Sequence, residues 1–158
     1  MLPDFADPLV KELKRQAKLG ATKKSALVPT VLPLQIVRIG TLALICCPGE
    51  FTTTAGARLV QTAQEILAEH GVQDVLICTY CNEYMGYVTT CEEYQEQAYE
   101  GGHTMYGQWT LAAFQTRFAE LARELGKEET ERRHDRSTRP PPVPIDELKI
   151  RSDLPPPA

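Results

Sequence analysis

The stretch Leu42-Ala43-Leu44-Ile45-Cys46-Cys47-Pro48-Gly49-Glu50-Phe51-Thr52 decides the fold. Its first six residues form an unbroken apolar run, too short for a confident helix and bounded by Gly40-Thr41 and Pro48-Gly49, which reads as a buried strand. Upstream, Pro29 and Pro33 bracket the start of an extended segment, because proline lacks a backbone donor and biases its predecessor away from helix. A strand from about Leu34 to Ile39 follows, and Gly40-Thr41, with glycine first, suits a two-residue type II′ hairpin. Downstream, Thr52, Thr53 and Thr54 offer hydroxyl N-caps. Ala55, Leu59, Ala63, Ile66 and Leu67 then recur at helical spacing, and Gly71 stands where the helix should stop. Val72 to Cys78, rich in Val, Leu and Ile, is a third strand.

Hairpin, helix and strand together predict an α/β (α+β) unit, a mixed sheet with packed helices. Thr79 to Gly107 is polar, aromatic and too long for an ordinary connection, the kind of segment that carries function on a rigid scaffold. A short helix is expected within it, near Glu92 to Tyr99. Trp109 to Leu125 places Ala113 or Phe114, Phe118, Leu121 and Leu125 on one face and ends at Gly126. The chain thus divides into residues 1–30, a basic helix and connector; 31–126, the folded portion; and 127–158, a charged, Pro-rich tail expected to be disordered.

With 158 residues and 42% hydrophobic content, one domain can bury a core without metal or disulfide staples. A net charge of -4 gives no electrostatic footprint for nucleic acid. The longest apolar run falls far short of the roughly 20 residues a membrane-spanning helix needs. Residues 1–20 lack the apolar core and small-residue cleavage site of a secretory signal, so either the protein is cytoplasmic or its true N-terminus lies elsewhere. Five cysteines, two of them adjacent, suit reduced thiols better than a paired framework.

Glu50 stands where a buried strand gives way to a helix, the position at which open α/β sheets commonly place ligands. It is either a metal ligand or acid/base group, or an acid that complements the helix N-terminus. Asn82 to Tyr94 concentrates tyrosines and carboxylates, hard oxygen donors that zinc accepts, or else an aromatic-anchored surface loop. Cys78-Thr79-Tyr80-Cys81 is a C-x-x-C without a second ligand pair at a recognised interval, which favours packing over a redox or zinc role. No H-x-x-x-H or H-E-x-x-H pair occurs; His70 suits a helix C-terminus, and His103, after Gly101-Gly102, is the histidine near the candidate site.

Three stretches, in order, resemble the neutral, non-lysosomal ceramidase family: Leu32 to Gly40 running into Pro48-Gly49-Glu50-Phe51-Thr52-Thr53; Tyr87-Val88-Thr89-Thr90 running into Glu92-Glu93-Tyr94; and Tyr99-Glu100-Gly101 followed by Tyr106-Gly107 and Thr110-Leu111. The resemblance covers about residues 30 to 125 and implies a fragment of that family's catalytic domain, its carboxy-terminal portion. It further implies an N-acylsphingosine amidohydrolase, splitting ceramide or a related N-acyl sphingoid lipid into sphingosine and a fatty acid. The family's zinc ion is held by two His, one Glu and one Tyr; Glu50 and Tyr87 match the Glu and the Tyr, and Tyr99 would help stabilise the developing oxyanion.

The two His ligands belong to preceding parts of the family's domain, so the Zn(2+) ligand set is incomplete here and an upstream ceramidase segment or subunit is an expected partner. His103, Trp109, Cys81 and Cys91 depart from the family's usual residues. Relatives are mostly secreted or membrane-associated, whereas this chain carries no address of its own. Two further readings stand beside a partial enzyme: a non-catalytic interaction module that keeps the scaffold, and a thiol redox protein using Cys78 and Cys81.

Overall fold

Extended, branched residues on either side of Gly40-Thr41 pair as the expected hairpin. Strand β1 (Gln35–Ile39) runs antiparallel to β2 (Leu42–Cys46), with Ile39 opposite Leu42 and Gln35 opposite Cys46. Gly40 adopts a positive φ of 61° while Thr41 does not, the pattern of a type II′ turn. The computed structural model describes residues 28–135 and 137–142, together with Lys11, Lys14, Arg15, 18–20 and Ile145. The expectation for residues 1–30 falls largely outside the described residues, as does the end of the expected tail. Everything below belongs to the unit Leu32–Thr138.

After a two-residue strand β3 (Glu50–Phe51), helix α1 (Thr53–Leu67) is capped by Thr52, whose hydroxyl accepts from the Ala55 N–H at 3.2 Å. A 3-10 turn, Ala68–His70, carries α1 to Gly71, left-handed at φ 79° as a helix terminator requires. Strand β4 (Asp74–Cys78) then returns parallel to β2, giving the sheet order β1-β2-β4. The sheet is mixed, as expected.

The segment after β4 is organised more finely than its sequence suggests. Strand β5 (Tyr87–Val88) pairs parallel to β3, and two short helices follow, α2 (Cys91–Glu96) and α3 (Tyr99–Gly102), separated by Gln97 at φ 50°. The sequence predicts a single helix near 92–99; the left-handed Gln97 breaks it into two. Helix α4 (Thr110–Leu125) completes the fold.

Helices α1 and α4 pack against each other and cover one face of the three-stranded sheet. Ala43, Ile45 and Val75 from the sheet, Leu59, Ala63 and Leu67 from α1, and Phe114, Phe118 and Ala122 from α4 form the core. Phe114 joins it to β3 through an edge-to-face contact with Phe51, ring centroids 5.1 Å apart. Gly126 ends α4 in right-handed geometry, and its role is also steric: a Cβ there would overlap the His70 ring.

Beyond α4 the charged stretch from 127 is held for several residues instead of leaving the fold. Arg132 donates to the carbonyls of Leu125 and Lys127 at 3.2 and 3.1 Å, satisfying orphan groups of the helix C-terminus, and the Arg133 N–H donates to Glu124 at 2.7 Å.

Candidate functional site

The site grows from one seam. Residues 42–52 and 74–88 run side by side, first as β2 and β4, then through bonds from the Cys47 N–H to Cys78 (2.8 Å), Met85 to Pro48 (2.8 Å), Glu50 to Gly86 (2.9 Å) and Thr52 to Val88 (3.1 Å). Between those two halves the second strand loops out at Thr79–Tyr84, with Tyr80 and Asn82 in the left-handed region at φ 59° and 65°. The seam's closest approach needs glycine at 49, where a Cβ would lie 2.8 Å from the Gly86 carbonyl, and Gly86 itself sits at φ 91°, a conformation that favours glycine.

This register sets Glu50 directly opposite Tyr87, and the excursion brings Tyr80 and Tyr84 back over the same carboxylate. Tyr84 Oη donates to Glu50 Oε1 at 2.5 Å, and Tyr80 and Tyr84 stack with ring centroids 5.9 Å apart. The Tyr84, Tyr87 and Tyr80 hydroxyls hold Glu50 below the usual carboxylate range. The same bonds push the phenols up, Tyr87 to about 12, so in this arrangement they are neutral donors around an anion.

Tyr99, on α3, meets Tyr87 edge to face at 5.6 Å, and His103 lies 4.4 Å from Tyr99 by ring centroids with its Nδ1 bonded to the Tyr99 carbonyl at 2.7 Å. Glu50, Tyr87 and Tyr99, all picked out from sequence, are thus brought together. Sequence reasoning passed over Tyr80 and Tyr84 as individual partners of Glu50, because the looped-out segment that brings them back rests on the left-handed Tyr80 and Asn82 and leaves no periodic signal.

Glu50 does not cap α1. Thr52 does, and no acid lies in that helix's first turn. The carboxylate that serves helix ends is Glu93: it accepts from Thr52 Oγ1 at 2.6 Å and from the Thr90 N–H at 2.8 Å, while Thr90 Oγ1 accepts from the Glu93 N–H at 3.1 Å to complete a capping box. Thr52 follows β3 and Thr90 lies just past β5, so Glu93 ties together the chains that present Glu50 and Tyr87. Burial pushes Glu93 up, but the Thr52 and Thr90 hydrogen bonds outweigh it and leave the group lowered. Beside it, Arg58 pairs with Glu92 at 2.9 Å on the surface and pulls that acid down to about 2.

Among the described residues, no group of three or more His, Cys, Asp and Glu side chains is placed to hold a metal. Glu50 and Tyr87 are hard oxygen donors that converge and are open to a further partner, which fits part of a zinc ligand set but not a whole one. The C-x-x-C splits between the end of β4 and the loop, with Cys81 Sγ directed at the Thr79 carbonyl at 3.7 Å. Cys46, beside Cys78 in the register, is pushed up to about 11 by burial and by the Cys81 and Cys78 thiols, and so is a poor nucleophile. His70 packs on Gly126, away from the seam. No helix among the described residues is long and apolar enough to cross a membrane.

Residues 13–116 match the family model described as neutral/alkaline non-lysosomal ceramidase, N-terminal. The neutral ceramidase of Pseudomonas aeruginosa is 46% identical over 106 residues, covering 67% of this chain and 16% of that protein. The crystal structure of neutral ceramidase from Pseudomonas aeruginosa superposes with a TM-score of 0.69 at 43% identity, over 73% of this chain and 18% of that one. A structure of a ceramidase complexed with C2 superposes at 0.61 with 48% identity, over 62% of this chain and 15% of the other. The chain spans 15 to 16% of the length of the first curated relatives it matches.

Proposed function

From the premise that this chain belongs to the neutral/alkaline non-lysosomal ceramidase family, we propose that it carries one half of a zinc amidohydrolase site, with Glu50 and Tyr87 as metal ligands. The observation that carries this reading is the Glu50 carboxylate, relieved of any capping duty, opposite Tyr87 in the β3–β5 register and kept ionised by the surrounding phenols. The substrate class is an N-acyl sphingoid lipid such as ceramide, cleaved at its amide to a sphingoid base and a fatty acid.

Zinc, when bound, supplies a Lewis acid for the amide carbonyl and an activated water. The chain's own residues do the rest. Glu50 brings a permanent negative charge, because its lowered carboxyl stays ionised throughout the neutral range. Tyr84 and Tyr80 orient that carboxylate by donating to it, which is a positioning role. Tyr87, held as a neutral phenol by its bond to Glu50, would be the second oxygen ligand. Tyr99, against the Tyr87 ring, offers a hydroxyl to the oxyanion that develops on the amide.

Two oxygen ligands rarely retain zinc, so the chain by itself is inactive and needs the histidine-bearing remainder of the family's domain. The test is a ceramide hydrolysis assay at controlled free zinc, with the chain alone and combined with the missing segment of a relative. Hydrolysis only in the combination, abolished by Glu50→Ala and by Tyr87→Phe, is expected; activity that survives both substitutions contradicts the assignment. A second reading, an interaction module without catalysis, is favoured by the same shortage of ligands and predicts a combination that assembles yet never hydrolyses.

A further inference from the structure

All five cysteines of the chain fall among the described residues, and all five are free thiols. Four of them meet at one point, where β2 and β4 give way to the seam. Cys46 and Cys78 stand opposite each other in the parallel ladder, the Cys47 N–H donates to the Cys78 carbonyl at 2.8 Å, and the Cys81 N–H donates to the Cys47 carbonyl at 2.9 Å. That last bond folds the looped-out segment back onto the end of β2, where the Cys46 thiol takes the Cys81 thiol as a hydrogen-bond partner. None of these thiols has a part in the metal half-site.

Disulfide geometry selects one pair among the four. A bridge wants Cβ atoms roughly 3.5–4.5 Å apart, whereas Cys46 and Cys78 are fixed side by side in a ladder whose strands lie about 4.8 Å apart. Cys47 is fully buried in the core with Ala43 and Ile45. Cys78 and Cys81 are separated by the left-handed Tyr80 rather than by a helical turn, and it is Cys46 that the Cys81 thiol meets. Cys81 is also the mobile partner, since its segment is tied to the strands by single bonds such as Asn82 to Gln35 at 2.9 Å and Tyr84 to Glu50 at 2.5 Å. Cys46 stands four residues before Glu50 and Cys81 three before Tyr84, so a link between them acts at the base of the site.

We propose that Cys46 and Cys81 form a reversible disulfide that fixes the Thr79–Tyr84 excursion to β2, so that a small-molecule disulfide oxidant sets how Tyr80 and Tyr84 sit on Glu50. Burial, with the Cys81 and Cys78 thiols beside it, keeps Cys46 protonated, so the first attack falls to Cys81. The Cys81 thiolate attacks one sulfur of the oxidant, expels one small thiolate and leaves a mixed disulfide on Cys81. Cys46 then gives up its proton and attacks the Cys81 sulfur, expelling the second small thiolate; contact between the two residues makes this step intramolecular. Two protein thiols thereby lose two electrons to the oxidant, their two protons leave with its two thiols, and excess reducing thiol runs the sequence backwards.

The purified full chain, reduced and then exposed to oxidised glutathione, is read by thiol titration, peptide mass mapping and nuclear magnetic resonance of ring-labelled tyrosine. Loss of two of the five thiols, a Cys46–Cys81 linked peptide within one chain, and displaced Tyr80 and Tyr84 ring signals that a reducing thiol restores are expected. Cys78→Ala should keep all three results. Cys46→Ser should halt at a glutathione adduct on Cys81, and Cys81→Ser should slow thiol loss from Cys46 at least about tenfold, with the circular dichroism of both reduced variants unchanged. A bridge from Cys78, a bridge between two copies, an adduct that never closes in the parent chain, or a cross-link that leaves the Tyr80 and Tyr84 signals in place overturns the inference.

Discussion

The helix-covered body and the β3–β5 crossing lie on one hydrogen-bonded seam but are held by different forces. In the body, Ala43, Ile45, Leu59, Ala63, Leu67 and Phe118 are fully buried, and stability comes from apolar area removed from water, which is non-directional and tolerant of detail. At the crossing, two residues of β-pairing are fixed by Thr52, Thr90 and Glu93 on one side and by a ring of tyrosines on the other, all directional contacts. A scaffold can therefore be stable while its site remains adjustable, and a site carboxylate can be spared from capping a helix.

The sharpest way to break that contrast is Phe118→Ala. It should cost about 3–5 kcal/mol in urea unfolding, with the near-ultraviolet tyrosine signal of the site unchanged below the transition. A smaller loss, about 1–3 kcal/mol, is expected for Glu93→Ala, which strands the Thr52 hydroxyl and the Thr90 N–H; here the tyrosine signal should change, since β3 and β5 lose their common tie. The pH dependence has a definite sign. Glu93 is lowered in the folded state, so its contribution is complete above the unfolded carboxylate value of roughly 4.3 and is lost as pH falls through the depressed folded value. Glu93→Gln should flatten the acid limb of stability in that window.

How much of this was readable beforehand follows from the forces involved. Burial leaves a periodic trace, so Leu59, Ala63 and Leu67 announced α1, the apolar run announced β2, and Gly40-Thr41 announced the hairpin. Glu50, Tyr87 and Tyr99 were named through a family resemblance, while their meeting at the β3–β5 crossing depends on two-residue strands that no window resolves. The looped-out Thr79–Tyr84 segment is likewise invisible in sequence, because it rests on the left-handed Tyr80 and Asn82 and on long-range bonds to Glu50 and to Gln35. Gly126 stops α4 where its sequence position announces, while the second demand on it, the space that the His70 ring requires, is a long-range packing fact that leaves no sequence trace.

Capping sharpens the comparison further. Thr52→Ala should cost about 1 kcal/mol by removing the α1 cap, more than Glu50→Ala, because the half-buried Glu50 carboxylate supports no helix and its loss leaves exposed tyrosines whose hydroxyls water can satisfy. If Glu50→Ala proves the more destabilising of the two in the same denaturation experiment, the carboxylate is structural after all and the contrast between body and site collapses.

Zinc uptake by the purified chain, followed by equilibrium dialysis with metal analysis, tests the half-site most directly. The account predicts weak binding, well under one equivalent at micromolar free zinc, that disappears in Glu50→Ala. One tightly held zinc per chain, or uptake unchanged when Glu50 and Tyr87 are both replaced, would contradict it.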